Sequence, residues 1–245
     1  MKMMKYLSLA LVLGLLWAGC AKNSDPSATS AVSVSMSAST TNGKTTIGGR
    51  EAAAVTLTEV KVNVRSIQFD FDHEDEHFKK DSAFKDDKDA RLKGPFIVDL
   101  LNAGSFVDQV VTSTTLPNGK YEKVSFRLAP STEAGDMNGK SILITGTTGT
   151  TPFVFWHNIN AKFGVKFNDS TALATSGAGV NLAIHLEMDR ILSATNGGFD
   201  FSQAKDGNGD GTITIDAINT DGNRDLANKL MKLVLLRTHC EKRKK

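Results

Sequence analysis

Val32, Val34 and Met36 alternate with Ser33, Ser35 and Ser37, the two-residue period of a strand with one buried face. Residues 39–50 are rich in Gly, Thr and Ser and read as loop. The strongest pattern spans Val55–Phe71. Val60, Val62 and Val64 lie on one face, and Ile67, Phe69 and Phe71 resume the alternation in the opposite phase. A phase slip of that kind predicts a bulge or bend near Arg65-Ser66, so that one long strand serves two packing environments. Phe96–Leu101 reads as the next strand. Leu116-Pro117-Asn118-Gly119-Lys120-Tyr121 is a Pro/Gly turn that feeds another, Tyr121–Leu128. Further apolar segments stand at Ile142–Thr145, Phe153–Trp156, Phe163–Phe167 and Val180–Met188. Helical periodicity appears at Leu226–Leu236, where Leu226, Leu230, Leu233 and Val234 share a face opposite Lys229 and Lys232. Many short strands followed by one C-terminal helix predict an all-β sandwich or barrel. The helix is expected to dock its apolar stripe on the sandwich, with a solvated basic tail after it, and the runner-up use of that stripe is contact with an anionic membrane or a partner.

The order of these pieces has a likeness. A serine-flanked opening strand is followed by VTLTEVKVNVRSIQF, then FIVDLLN, then LPNGKYEKVSFRL, and finally VNLAIHLEMDRIL. This series resembles an uncharacterised family of bacterial lipoprotein domains, a domain of unknown function. The resemblance covers roughly residues 31–195 and departs from the family in lacking the Asp-Ala-Pro that often follows its first strand. It implies an immunoglobulin- or transthyretin-like sandwich and a place in the cell envelope. It implies no activity and supplies no catalytic residues.

Residues 1–5 carry two lysines and no acid, and Tyr6–Trp17 is an almost unbroken apolar run. That length suits a signal-peptide core and falls short of the roughly 30 Å of hydrocarbon that a spanning helix must cross. Leu16-Trp17-Ala18-Gly19-Cys20 resembles the bacterial lipobox, with Trp17 where that motif usually has an aliphatic residue. The resemblance implies diacylation of Cys20 and a new N-terminus there; the alternative is an ordinary signal peptide cut near Ala18. Several acyl chains at about 0.8 kcal/mol per buried CH₂ would hold the chain at a membrane. Ala21 after the cysteine, by likeness to lipoprotein sorting in Gram-negative bacteria, implies the outer membrane. Ala21–Ser30 then reads as a tether.

Composition narrows the partners. Removing residues 1–19 takes two of the 29 Lys and Arg and no acid, leaving 27 bases against 27 acids. A formally neutral chain argues against nucleic acid as the ligand. With Cys20 acylated, Cys240 has no partner, so the fold does not rest on an intrachain disulfide.

Two segments carry candidate metal chemistry. Residues 70–93 hold nine acids and six bases, and His73-Glu74-Asp75-Glu76-His77 within them is a literal H-E-x-x-H. On a helix, that spacing places two zinc ligands and a general base on one face. Here the flanks are charged on every side and no third-ligand motif follows, so a solvated loop is the plainer reading. The second segment, Asp206-Gly-Asn208-Gly-Asp210-Gly211-Thr212-Ile213, matches the first eight positions of an EF-hand calcium loop. Asp206, Asn208 and Asp210 supply side-chain oxygens and Thr212 a backbone carbonyl. Position 12 is Ala217 rather than a bidentate acid, with Asp216 one residue early. A second partial match, Asp221-Gly-Asn223-Arg-Asp225, reads equally as the cap of the following helix.

The sequence therefore predicts a signal peptide at 1–19, a lipidated cysteine and tether at 20–30, a sandwich at 31–200, and a calcium-loop, helix and basic tail at 201–245. The expected function is a non-enzymatic, lipid-anchored envelope module that binds a protein or polymer ligand or serves a structural role, stabilised by calcium. The alternatives are a zinc-dependent hydrolase on His73, Glu74 and His77, and a lipoprotein that sequesters transition metal through the same histidines.

Overall fold

The computed structural model describes residues 29–48, 53–71, 90–166, 173–175 and 179–243. The strands in chain order are β1 (Thr29–Ser39), β2 (Thr46–Ile47), β3 (Val55–Phe71), β4 (Ala90–Asp99), β5 (Leu101–Asn102), β6 (Ser105–Phe106), β7 (Asp108–Pro117), β8 (Gly119–Leu128), β9 (Ile142–Thr148) and β10 (Thr151–His157). They continue with β11 (Ala161–Lys166), β12 (Leu173–Thr175), β13 (Val180–Glu187), β14 (Ile213–Asp216) and β15 (Thr238–Arg243). The helices are α1 (Met188–Leu192) and α2 (Arg224–Leu236). One sheet has four strands in the order β15-β13-β1-β7, a second runs β11-β8-β3-β9-β10-β14 with β2, β4 and β12 added beside it, and β5 and β6 form a small two-stranded third. Val34 and Met36 of the first sheet and Val62, Ile67 and Phe69 of the second belong to one buried cluster, so the chain is an all-β sandwich.

The long strand β3 has the predicted slip. Its first half, Val55–Val62, pairs with β9, and its second half, Val64–Phe71, pairs with β8. β4 covers the other edge across the junction. The register shifts between Val64 and Ser66 on both edges, leaving Arg65 exposed and returning Ile67 to the core. Inserting one residue lets two stretches of opposite phase bury their apolar faces on the same side.

Asn63 holds the junction. It is fully buried; its backbone N–H donates to Ser141 O at 2.9 Å, and its Nδ2 donates to Ala129 O at 2.8 Å. Those carbonyls stand at the two ends of the connection from β8 to β9, so one side chain gathers both partners of β3. Asn63→Asp replaces the donor with a buried negative charge and is expected to destabilise by about 3 kcal/mol or more at neutral pH. Burial raises the pKa of such an acid, and its protonated form can donate to Ala129 O again. The deficit relative to the native chain should therefore shrink as pH falls through the raised value and be largest above it. Urea unfolding at several pH values checks this, and a deficit independent of pH would refute the clamp.

The C-terminus departs from expectation. Residues 238–243 are a strand rather than a solvated tail, with Asn181–Leu186 of β13 paired to Thr238–Arg243. Alternation explains it: Cys240 is buried, while His239 and Glu241 are exposed. Burial, with Glu241 beside it, pushes the Cys240 thiol up to about 12. In the Cys20→Ser chain, Cys240 should react with Ellman's reagent slowly when native and rapidly in denaturant; equal rates would show that β15 does not stay docked.

Candidate functional site

The calcium-loop-like segment is built from side chains that bend their own backbone. Asp206 accepts N–H groups from Gly209 at 2.8 Å, Asp210 at 3.2 Å and Gly211 at 2.8 Å. Asn208 Oδ1 accepts from Asp210 N at 3.0 Å, and Asp210 Oδ1 from Thr212 N at 2.8 Å. Gly211, at the sharp-turn position, has φ +87°, a conformation L-residues avoid. Ile213 is buried as the first residue of β14, which pairs in parallel with Phe153–Trp156 of β10.

Beneath the loop lies a polar knot. Asp216, Asp221 and Asn223 are all almost wholly buried. Asp221 accepts from Asn208 N at 3.3 Å and Thr214 N at 2.6 Å. Asn223 donates to Lys205 O at 2.7 Å and Thr214 O at 2.9 Å, so it ties two segments together and makes no side-chain cap on α2. The cap donor, Arg224 N, goes to Asn219 Oδ1 at 2.9 Å. A Cβ at Gly207 would lie 2.2 Å from Asp221 O, so only glycine lets the loop close onto this residue.

The candidate ligands thus divide. Asp206, Asn208, Asp210 and Thr212 sit together in one turn. Asp216 points elsewhere, accepting from Asn219 N at 2.5 Å, Thr220 N at 2.9 Å and the Thr220 hydroxyl. Asp221 is the acid brought against the loop, a pairing that spacing within the motif does not reveal. Among the described residues, no group of three or more His, Cys, Asp and Glu converges to hold a metal ion. Asp206 Oδ1 already accepts two N–H groups, but Asp206 Oδ2, Asn208 Oδ1 and Asp210 Oδ1 each accept one and keep a lone pair, so with the Thr212 carbonyl they fit a hard cation. With no bidentate acid, such a site belongs to the ~10⁻⁴–10⁻³ M range of extracellular modules. Cys20, His73, Glu74 and His77 lie outside the described residues.

At one end of the sandwich is a cleft of about 1080 Å³. Thr40, Asn42 and Ser193 line it with hydroxyl and amide groups, Asp189 and Asp200 with carboxylates, and Leu192 with apolar surface. Thr41 at the turn after β1 donates to Asp189 of α1, so the two walls are linked. Asp200 is held below the usual carboxylate range, first by the Ser202 hydroxyl at 2.7 Å, then by Gln203 Nε2 at 3.1 Å.

The remaining histidines have structural partners. His157 Nε2 meets Asn228 Oδ1 at 3.2 Å, and His185 stands between Ser37 Oγ at 3.0 Å and Ser39 Oγ at 2.8 Å. His239 faces outward while its neighbour Cys240 faces the core, so the two do not form a nucleophile–base pair.

Melting in excess EDTA and across millimolar calcium tests the loop. A calcium-dependent rise is expected, approaching about 2.7 kcal/mol at 100 times Kd. Asp206→Ala plus Asp210→Ala should abolish that rise, whereas Asp221→Ala should destabilise with or without calcium. A rise preserved in the double variant would remove the ion from this turn. Compared with protein-family models, curated proteins and solved structures, the chain finds no match.

Proposed function

We propose that this chain is a non-enzymatic, lipid-anchored module of the bacterial cell envelope, acting in binding or in structure, with calcium as a stabilising ion. The observation that carries the binding reading is the placement of the two ends of β1. Thr29, which pairs with Pro117, begins the strand close behind Cys20 in the chain, and Thr40 at its far end lines the cleft. Ten residue steps of about 3.3 Å separate Thr29 from Ser39, so a domain tethered at one pole carries its cleft some 33 Å away. Such a polar cleft, with two carboxylates and an apolar patch, suits a hydroxylated or cationic group on a protein or polymer ligand.

No helix among the described residues is long and apolar enough to cross a membrane. The apolar stripe of α2 is turned inward: Ala227, Leu230, Met231 and Val234 are buried and Lys229 and Lys232 exposed. Attachment in this reading therefore depends on Cys20, and the outer membrane of a Gram-negative cell is the expected place. The hydrolase and metal-sequestering readings rest on His73, Glu74 and His77, and no observation among the described residues favours them.

Metabolic labelling with an alkynyl fatty acid tests the anchor. The native chain should carry label and remain with membranes after an alkaline carbonate wash. Cys20→Ser should lose the label and appear in the soluble fraction; label retained in that variant would overturn the lipid-anchored reading.

A further inference from the structure

The bulge in β3 also shapes the outer face of its sheet. Beyond Arg65, Ser66 (buried beneath its neighbours) and Gln68 (half-buried) line a trough on the outer face, while Ile67 and Phe69 belong to the core. Register then lines up two outward rows. Ser66 pairs with Lys93 on one side and Arg127 on the other, and Arg127 pairs with Lys162. Gln68 pairs with Arg91 and Ser125, and Ser125 pairs with Gly164. The rim is cationic and long; the floor is Ser, Gln, Ser and Gly.

Between them lies a trough of about 210 Å³ lined by Ser66, Gln68, Arg91, Ser125, Arg127 and Lys162. At about 30 Å³ per water molecule, this holds several waters or one tetrahedral oxyanion. The cations have neutral partners. Arg91 Nη2 reaches Ser66 Oγ at 3.4 Å, Arg127 Nε donates to Asn160 Oδ1 at 2.7 Å, and Lys162 Nζ donates to Gln68 Oε1 at 3.3 Å. Among the described residues none of the three forms a salt bridge, and no acid lines the trough. In the next row Asp70 stands opposite Lys123.

A second observation points to a ligand. Ser125 is 1% exposed and its hydroxyl has no hydrogen-bond partner, a state that buried polar groups avoid. Gly164 beside it admits no side chain: a Cβ there would lie 2.7 Å from Val124 O and 3.1 Å from Ser125 Oγ. An unused buried donor sits at the floor, with three cations around the rim that no acid among the described residues neutralises.

We propose that this trough binds the phosphoryl or sulfate oxyanion of a ligand. The Arg91 and Arg127 guanidinium groups supply planar donor pairs, Lys162 a point charge, and Ser125 Oγ–H a donor from the floor. Three cations match a dianionic tetrahedral group better than a single carboxylate. The group comes either from free inorganic phosphate or from a phosphomonoester headgroup, and both present the same oxygens.

Calorimetric titration of the intact chain, held in neutral detergent at low ionic strength, tests the site with inorganic phosphate in one arm and glycerol 3-phosphate in the other. Saturable binding of at least one is expected. Tighter binding of the first assigns the site to the free anion, and tighter binding of the second assigns it to a headgroup. Arg91→Gln plus Arg127→Gln should weaken binding by about tenfold or more, the loss of at least one charge-assisted hydrogen bond. Ser125→Ala should weaken binding severalfold while leaving the melting temperature unchanged or higher, because it deletes a buried hydroxyl without a partner. Absence of binding in both arms would overturn the proposal, as would affinities that neither substitution alters.

Discussion

The fold depends on one strand changing partners. A buried β-strand must pair its backbone groups along its whole length, because an orphaned N–H or C=O away from water is expensive. β3 meets that demand with β9 along one half and β8 along the other. The handover leaves a gap where neither partner runs straight, and Asn63 bridges it with one backbone and one side-chain donor. Its Oδ1 finds no partner there, so the clamp is bought with an unsatisfied acceptor. The bulge just beyond has two consequences: it returns Ile67 and Phe69 to the core, and it sets Ser66 and Gln68 in the trough on the outer face between basic neighbours. Core continuity and the cationic trough are two faces of the same inserted residue.

The C-terminal segment is integrated through both sheets. β14 extends the larger sheet in parallel with β10, and β15 forms an edge of the smaller one on β13. Between them, Asp216, Asp221 and Asn223 are buried without cationic partners among the described residues, yet each accepts or donates several hydrogen bonds to nearby polar groups. Buried carboxylates are tolerable when backbone N–H groups solvate them. The 206–223 region therefore holds itself together through local donors, and a cation in the upper turn would add to a structure already formed.

Alternation made β1, β3 and the paired strands at 142–157 legible, because each buries one face and leaves the other polar. The phase slip in β3 was visible for the same reason: five apolar residues, Val60, Val62, Val64, Ile67 and Phe69, report which face is inside. β7 gave no such signal. It is an edge strand of Thr, Ser and Val in which Val110 is 64% exposed, so its outward and inward positions do not differ in polarity. β15 was hidden by its exposed charged residues Glu241 and Lys242, with Cys240 the one buried side chain among those described in the strand. The turn 206–212 was readable because its donors and acceptors lie within five residues of one another. Asp221 was not, since its contact with Asn208 spans 13 positions. The trough was least legible, drawing its cations from three separate strands.

A formal net charge of only +2 thus conceals a segregation of charge. The cleft carries Asp189 and Asp200 at one pole, whereas Arg91, Arg127 and Lys162 crowd the side of the larger sheet. Were the domain lipid-anchored, as proposed above, their positions would constrain how it could use them. Ser125 lies seven residues along from the Asn118 turn, roughly 23 Å from the pole where β1 begins. In that reading, a flexible tether of eight residues would span about 15 Å on average, which would let the domain stand on the membrane or lie along it. Upright, the trough would lie well above the headgroups and meet soluble anions or extended polymers. Lying on the larger sheet, it would meet phosphate at the surface while the cleft opened sideways. The source of the oxyanion and the posture of the domain are therefore one question, because a headgroup ligand requires the second orientation and a free anion does not.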